Sequence, residues 1–266
     1  MRAVCELGAC MALDLIDVFI ASLLVLIAIG ISVYLKLGLA KTLVIASIRT
    51  IAQLSLIGLI LAWVFAREAW YEVLTIFSIM TLIAAISAKN RIKRPYRGLL
   101  TDTLLSLGVA TGVVTLVAMV LILQVSPWYA PQYIIPILGL ILGNSLTAIS
   151  LTTGRLIDHL HSEQAHIRTL LSLSATPFEA CHSAIATAIS SGMMPTINSM
   201  MVVGVVSLPG MMTGQILAGA DPTQAVRYQI ITMFFICAGS ALSCTLSALF
   251  VVRRFFNYRM QLVIPK

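Results

Sequence analysis

Seven long apolar runs divide this 266-residue chain and leave little of it for a water-soluble core. A helix of roughly 20 apolar residues spans the hydrocarbon layer of a membrane, which is about 30 Å thick. Charged residues make up 10% of the chain, whereas they make up about 25% of a soluble domain. Because lipid offers no hydrogen-bond partners to the backbone, we predict an all-α integral membrane protein with about seven transmembrane helices. The predicted spans are 16–35, 48–65, 73–88, 99–123, 134–153, 194–218 and 228–252.

The basic residues predict the orientation of these spans. Most of the 17 Lys and Arg residues fall in the segments 36–49, 89–98 and 154–193 or in the C-terminal tail. Loops that are rich in Lys and Arg stay in the cytoplasm. We therefore expect the N-terminus outside and the C-terminus in the cytoplasm. The net charge of +7 lies at the ends of the apolar runs, so the expected partner is the lipid bilayer, and no nucleic acid is expected.

The rest of the domain organisation is simple. Residues 1–13 form an N-terminal extension with little pattern, which we do not expect to be structured, and Met11 is an alternative start. Residues 14–266 are expected to form a single transmembrane domain. Its one long polar insertion is the segment 154–193, on the predicted cytoplasmic side.

Helix signals within this insertion predict two short helices. Leucine and isoleucine recur at helical spacing from Leu156 to Leu171. Thr176 then offers an N-cap, Pro177 suits the first helical position, and the charge of Glu179 complements the helix dipole. Two short helices joined by a capped turn would make a good docking surface for another protein.

The sixth predicted span, 194–218, contains groups that a passive anchor would avoid. It carries Asn198, a Pro209-Gly210 break and Gln215, and such groups must be satisfied by protein or by a wet cavity. We therefore predict that this span forms the wall of a transport path. Hydrogen bonding between helices is the alternative, and the sequence leaves it open. One helical face is predicted to carry Met200, Gly204, Ser207, Met211 and Gln215. The candidate path residues are Gln53, Asn144, Asn198, Ser207, Pro209, Gly210, Met211 and Gln215.

The sequence also offers one candidate metal site. His159, Glu163 and His166 lie at offsets of a single predicted helix face, where N and O ligands could hold Fe(II) or Zn(II). A solvated helix face is the alternative. The sequence lacks the Gly-x-x-x-x-Gly-Lys-Ser/Thr phosphate loop and the His-Glu-x-x-His motif. We expect no catalysis and no cofactor in this chain.

The most specific pattern is the run 203–219, VGVVSLPGMMTGQILAG, followed by Tyr228-Gln229. This pattern resembles the signature of the FetB/YbbM-type ABC-transporter permeases, which are bacterial iron exporters with plant relatives that act in aluminium tolerance. The resemblance covers nearly the whole chain from about Leu15. Supporting runs are RTIAQL at 49–54, GNSLTA at 143–148, LSATPFEA at 173–180 and PTINS at 195–199.

This resemblance implies a permease of the cell inner (plasma) membrane that pairs with a separate ABC-type ATPase subunit. The ATPase would bind ATP and Mg, and the permease would be a homodimer with two ATPase copies. The family usually has glycine where this chain has Ser174. Carried onto this sequence, the resemblance assigns contact with the ATPase to Ala175, Thr176, Pro177, Phe178, Glu179 and Ala180.

We therefore expect an ATP-driven exporter of a metal ion, iron, across the inner membrane. The alternative is a secondary carrier or channel for a small solute that works without ATP. Such a carrier usually needs ion-coupling carboxylates near the middle of the membrane, whereas Glu72 and Asp102 lie at the ends of predicted spans. A third alternative is a sensor or assembly subunit that transports nothing.

Overall fold

The computed structural model describes residues 15–67, 69–257 and 260–263, and within these ranges the chain is all-α, as predicted. The predicted extension 1–13, with Met11, lies outside the described residues. A π-helical turn, Ala118–Ile122, continues the fourth helix. The nine α-helices in the described residues are α1 (Leu15–Tyr34), α2 (Ala40–Arg67), α3 (Trp70–Arg91), α4 (Leu99–Val117), α5 (Pro131–Ser162), α6 (Gln164–Ser172), α7 (Pro177–Val202), α8 (Gly210–Leu217) and α9 (Pro222–Phe255).

The helices pack as two compact units, one with α1 and α2 and the other with α3 to α9. The single domain predicted over 14–266 therefore stays a prediction.

The first unit is a helical hairpin with a tight turn. The buried Ser32 side chain accepts a hydrogen bond from the Leu39 backbone N–H at 3.1 Å, and Gly38 adopts a φ of 72°. The predicted loop 36–49 is wrong, because α2 already begins at Ala40 and carries Arg49. That boundary followed the charges, but Lys and Arg are good helix formers.

In the second unit, α5 packs against α3, α4, α7 and α9. Two glycines let its neighbours approach closely. A Cβ at Gly192 of α7 would strike Thr152 Oγ1 and lie 2.7 Å from the Ala148 carbonyl oxygen, and a Cβ at Gly239 of α9 would strike the Ile141 side chain. Small residues at helix contacts allow such close backbone packing in membranes. The core of this unit is therefore built around α5, which packs against these four other helices.

Within the described residues, five helices are long and apolar enough to cross a membrane. They correspond to the second, third, fourth, fifth and seventh predicted spans. The 20-residue α1 is also strongly apolar. The count of seven spans and the orientation of the termini stay predictions.

The sixth predicted span is wrong as a continuous helix. α7 ends at Val202, and α8 is an eight-residue helix that begins at Gly210, too short to cross a membrane. Gly204, with a φ of 85°, donates its N–H to the Ser207 carbonyl oxygen at 2.9 Å in the turn between them. Because this turn is not helical, the predicted face from Met200 to Gln215 does not exist.

The predicted insertion 154–193 is not a separate loop. α5 continues to Ser162, and α6 follows as one short helix. The second predicted short helix begins at Pro177, as expected, but it continues to Val202 with Pro195 inside it. It is long because Ala180, Ala184 and Ala188 are buried in the core of the unit along its first three turns.

A polar network closes the end of the second unit where α4 begins and α9 ends. Arg254 contacts the Asp102 carboxylate through Nε at 3.1 Å and Nη2 at 3.2 Å. The Tyr96 hydroxyl donates to the same carboxylate at 2.8 Å. Burial raises the pKa of Tyr96, and its hydrogen bond to Asp102 adds to the increase. Tyr96 also packs edge-on against Phe255, with ring centroids 5.7 Å apart.

Candidate functional site

A cavity of about 200 Å³ lies where the sixth predicted span is broken. Residues of α5, α7, α8 and α9, together with Pro209 before α8, line it. Its wall is made by Leu140, Asn144, Thr196, Ser199, Pro209, Gly210, Met211, Gln229, Thr232, Met233 and Ile236.

The turn between α7 and α8 shapes this cavity. The Val202 carbonyl oxygen accepts hydrogen bonds from the N–H groups of Val206 and Ser207, which folds the chain back on itself after α7. Pro209 has extended backbone geometry and immediately precedes α8. Since proline has no N–H and fits the start of a helix, it suits a position where the helix must begin again. The break thus brings Pro209 and Gly210 to the cavity wall.

Gln229 is the most unusual polar residue in this wall. It is 6% exposed, and its Oε1 has no hydrogen-bond partner among the described residues. A buried acceptor left unpaired costs about 1–3 kcal/mol. The Gln229 carbonyl therefore calls for a donor inside the cavity, either water or the hydration shell of a solute.

Three other polar side chains of the wall, those of Asn144, Thr196 and Thr232, have protein partners. Asn144 donates from Nδ2 to the Leu140 carbonyl oxygen at 2.8 Å, and Thr232 donates to the Tyr228 carbonyl oxygen at 2.8 Å. Thr196 donates to the Ser240 hydroxyl at 3.5 Å. Of these three hydrogen bonds, only that of Thr196 joins two helices, α7 and α9.

The chemistry of the cavity wall is neutral. Its residues offer amide and hydroxyl groups and the thioethers of Met211 and Met233, with no carboxylate, imidazole or basic group. Divalent cations are stripped of water by charged or imidazole ligands in protein sites. This wall fits a solute that keeps its hydration or its own ligands.

A buried polar seam runs from this cavity between α5, α7 and α9. Ser240, Ser243 and Ser247 recur on one side of α9, and the Ser247 and Thr153 hydroxyls are 2.7 Å apart. The hydroxyls of Ser243 and of the further buried residue Ser145 have no hydrogen-bond partner among the described residues. The side chains of the seam are fully buried.

The cavity gathers only half of the predicted path residues. Asn144, Pro209, Gly210 and Met211 lie in its wall. Asn198, Ser207 and Gln215 are not among the wall residues, and the first two are exposed. Gln53 is exposed on α2, in the first unit.

Sequence reasoning missed Thr196, Ser199, Gln229 and Thr232 as wall residues. The available signal was Gln229, an amide near the start of the apolar run 228–252 and part of the matched family signature.

The turn from α6 to α7, residues 173–180, forms an elbow at the other end of α7. The Thr176 Oγ1 accepts from the Glu179 N–H at 3.4 Å, and the Glu179 carboxylate accepts from the Thr176 N–H at 2.7 Å. These hydrogen bonds form a capping box, which confirms the predicted start of α7. The hydrogen bond from the Thr176 backbone, followed by that from its hydroxyl, holds the pKa of Glu179 below its usual value.

The elbow presents apolar side chains to its surroundings. Leu173 is 73% exposed and Phe178 is 42% exposed. Among the residues predicted to contact an ATPase, Thr176, Phe178 and Glu179 are exposed. Ala175 and Pro177 are partly buried, and Ala180 is buried. Ser174 adopts a φ of 67°, a backbone conformation that glycine takes more easily.

The predicted metal face is wrong. α5 ends at Ser162, and Glu163 lies between α5 and α6 with a φ of −103° and a ψ of 24°. His159, Glu163 and His166 therefore do not share one helix face. Among the described residues, no three His, Cys, Asp or Glu side chains lie close enough to hold a metal ion.

Residues 15–256 match the family described as Uncharacterised protein family (UPF0014). The chain belongs to the UPF0014 family. This confirms the resemblance drawn from the run 203–219. No solved structure matches the chain significantly.

Relatives in the UPF0014 family match along most of their length. The UPF0014 membrane protein slr1647 of Synechocystis is 42% identical over 237 residues, which cover 89% of this chain and 92% of that protein. The probable iron export permease protein FetB of Escherichia coli is 36% identical over 247 residues, with 93% and 94% covered. Protein ALUMINUM SENSITIVE 3 of Arabidopsis thaliana is 30% identical over 242 residues, with 91% and 87% covered. This UPF0014 chain is thus a membrane protein with permease-type relatives.

Proposed function

We propose that this chain is the permease subunit of an ABC transporter that exports a metal ion, iron, across the inner membrane. A separate ATPase subunit binds ATP and Mg, and two permeases assemble with two ATPases. The observation that carries the proposal is the course of α7. This helix begins at the elbow with Pro177 and reaches the cavity with Thr196 and Ser199.

The length of α7 suits a coupling role. Its 26 residues extend about 39 Å at 1.5 Å per residue. A force on the elbow is therefore transmitted along one helix to the cavity wall. Because α7 packs against both α5 and α9, its displacement also changes the helices that carry Asn144 and Gln229.

The exposed side chains of the elbow support the proposal that an ATPase subunit binds there. Exposed aromatic and aliphatic side chains next to a fixed turn are typical anchors of protein interfaces. Phe178 and Leu173 supply such anchors, and the capping box fixes the backbone between them. The chain itself has no phosphate loop, so the energy of ATP has to come from another subunit.

The proposed substrate comes from one relative and from the cavity wall. FetB of Escherichia coli is named a probable iron export permease. The neutral wall supports transport of the metal with its water or its chelating ligands attached. It gives no support to a bare ion held by protein carboxylates.

The positions of the carboxylates give little support to the alternative of a secondary carrier. Asp102 is engaged by Arg254 and Tyr96 at the end of the unit. Glu72 lies in the first turn of α3. Neither residue lies in the middle of a spanning helix.

The test is co-purification and transport with an ATPase encoded beside the gene. Phe178→Asp is expected to abolish association with the ATPase, whereas Trp128→Asp, an exposed aromatic elsewhere in the unit, is expected to retain it. Gln229→Leu is expected to retain association and lose most metal export from reconstituted vesicles. Export by the chain alone, driven by a proton gradient, would overturn the proposal in favour of the carrier.

A further inference from the structure

A second pocket, of about 340 Å³, lies outside the candidate path at the end of the unit where α3 ends. Four basic residues line it, namely Arg91, Lys93, Arg94 and Arg155. One carboxylate, that of Asp158, faces them. The pocket is therefore strongly positive.

The positive charges of these four side chains are not balanced by carboxylates of the described residues. Among the described residues, none of them forms an ion pair with a carboxylate, in contrast to Arg254 with Asp102. Arg91 donates to the Thr147 hydroxyl at 3.4 Å, a long contact that leaves its charge uncompensated. Like charges gathered around one concave site repel each other unless an anion lies between them. The pocket is thus suited to an anion from outside the chain.

The position of the pocket indicates which anion. Arg91 is the last residue of α3, and Arg155 lies on α5; both helices are long and apolar enough to span a membrane. Leu151, which also lines the pocket, is 43% exposed. A basic site beside an exposed apolar side chain, at the ends of spanning helices, can bind a headgroup and an acyl chain together. Basic pockets between transmembrane helices on the cytoplasmic side bind the headgroups of anionic lipids.

We propose that this basic pocket binds the phosphate group of an anionic phospholipid headgroup. The guanidinium groups of Arg91, Arg94 and Arg155 suit the phosphate oxygens, because arginine presents a planar set of N–H donors. Lys93 adds a further charge. The inference does not depend on the proposed transport function.

The experiment measures binding to the full chain in detergent micelles by native mass spectrometry. The probes are short-chain phosphatidylglycerol, short-chain phosphatidylcholine and inorganic phosphate. We expect the wild type to bind phosphatidylglycerol more tightly than the other two, and to lose this preference as salt screens the charges. Equal binding of phosphatidylglycerol and phosphatidylcholine overturns the proposal. Inorganic phosphate that binds as tightly as phosphatidylglycerol overturns the lipid assignment and gives the pocket to free phosphate.

Charge variants of the pocket are expected either to weaken or to tighten lipid binding, depending on the sign of the charge removed. Replacing two cations, Arg94→Gln with Arg155→Gln, is expected to weaken phosphatidylglycerol binding about 30-fold, which is about 2 kcal/mol at 1.4 kcal/mol per tenfold. Removing the facing carboxylate, Asp158→Asn, is expected to tighten binding about fivefold.

The matched control is Lys41→Gln with Arg253→Gln, which removes the same charge outside the pocket and is expected to leave the affinity unchanged. An equal loss in this control means that net charge rather than the pocket binds the lipid. A loss of affinity in Asp158→Asn means that the charge of the pocket does not govern binding. Either result overturns the proposal. Thermal unfolding of each variant confirms that its fold is retained.

Discussion

Arg254 contacts the carboxylate of Asp102 through two nitrogens, although the residues lie 152 positions apart in the chain. The pair fastens the start of α4 to the end of α9. Asp102 is 6% exposed in its side chain and Arg254 is 50% exposed, so the carboxylate is the member that depends on its partner.

Asp102→Asn is expected to lower the free energy of unfolding by about 1.5–3 kcal/mol, because hydrogen bonds to a charged group are lost at a buried position. Thermal unfolding of the purified protein in detergent measures this loss. Asp158→Asn serves as the control, since Asp158 is exposed and forms no ion pair among the described residues. Equal unfolding temperatures for the two variants would show that the Arg254 contact contributes nothing to stability.

Ser174→Gly is expected to stabilise the elbow. Ser174 has a φ of 67°, which is strained for a residue with a Cβ. Glycine relieves this strain but gains conformational entropy in the unfolded chain. The net effect is expected to raise the free energy of unfolding by about 0.5–1 kcal/mol. Ser172→Gly is the matched control, because Ser172 is the last helical residue of α6. At Ser172 the same substitution is expected to lower the free energy of unfolding by up to about 0.5 kcal/mol. Thermal unfolding compares them, and a destabilised Ser174→Gly would contradict the assigned backbone strain.

The capping box gives the elbow a predictable dependence on pH. The pKa of Glu179 is lowered in the fold. Its contribution to stability is therefore present above the pKa of the unfolded state and lost as the pH falls through the lowered folded value. Hydrogen exchange at the first turn of α7 is expected to accelerate on acidification in the wild type. Glu179→Gln removes this dependence, and Thr176→Ala is expected to cost about 1 kcal/mol at neutral pH. Acid-induced exchange that persists in Glu179→Gln would assign it to another group.

Gly192→Ala tests the close contact between α7 and α5. The added methyl group would strike Thr152 Oγ1 and lie 2.7 Å from the Ala148 carbonyl oxygen. Overpacking of this kind is expected to lower the free energy of unfolding by about 1–3 kcal/mol. Gly143→Ala is the control on α5, since a Cβ there meets nothing within 4 Å. It is expected to leave the unfolding temperature unchanged or to raise it, and equal effects of both substitutions would refute the assigned packing.

Local signals in the sequence predicted the parts of the structure that depend on neighbouring residues. Five of the seven apolar runs coincide with helices that are long and apolar enough to span a membrane. Thr176, Pro177 and Glu179 predicted the start of α7, and the Pro209-Gly210 pair predicted the break before α8. In each case the deciding interaction joins residues within four positions of one another.

Features that depend on tertiary packing could not be predicted in the same way. The Asp102 and Arg254 charges were visible, but nothing in their spacing joined them. α7 was expected to be short because its start lies in the polar insertion 154–193, whereas the buried alanines that extend it are ordinary in any helix. Gln229 was recognised only as part of a family signature, since the absence of a partner for its Oε1 is a property of the folded cavity.

The tight contacts at Gly192 and Gly239 restrict how this protein can move. Helices that interlock at a backbone carbonyl and at Ile141 cannot slide past one another without first separating. In the proposed transport function, a cycle that keeps α5, α7 and α9 together must therefore bend at a hinge. The seven non-helical residues 203–209 provide one beside the cavity, so stiffening that turn should arrest the cycle while the assembled protein stays intact.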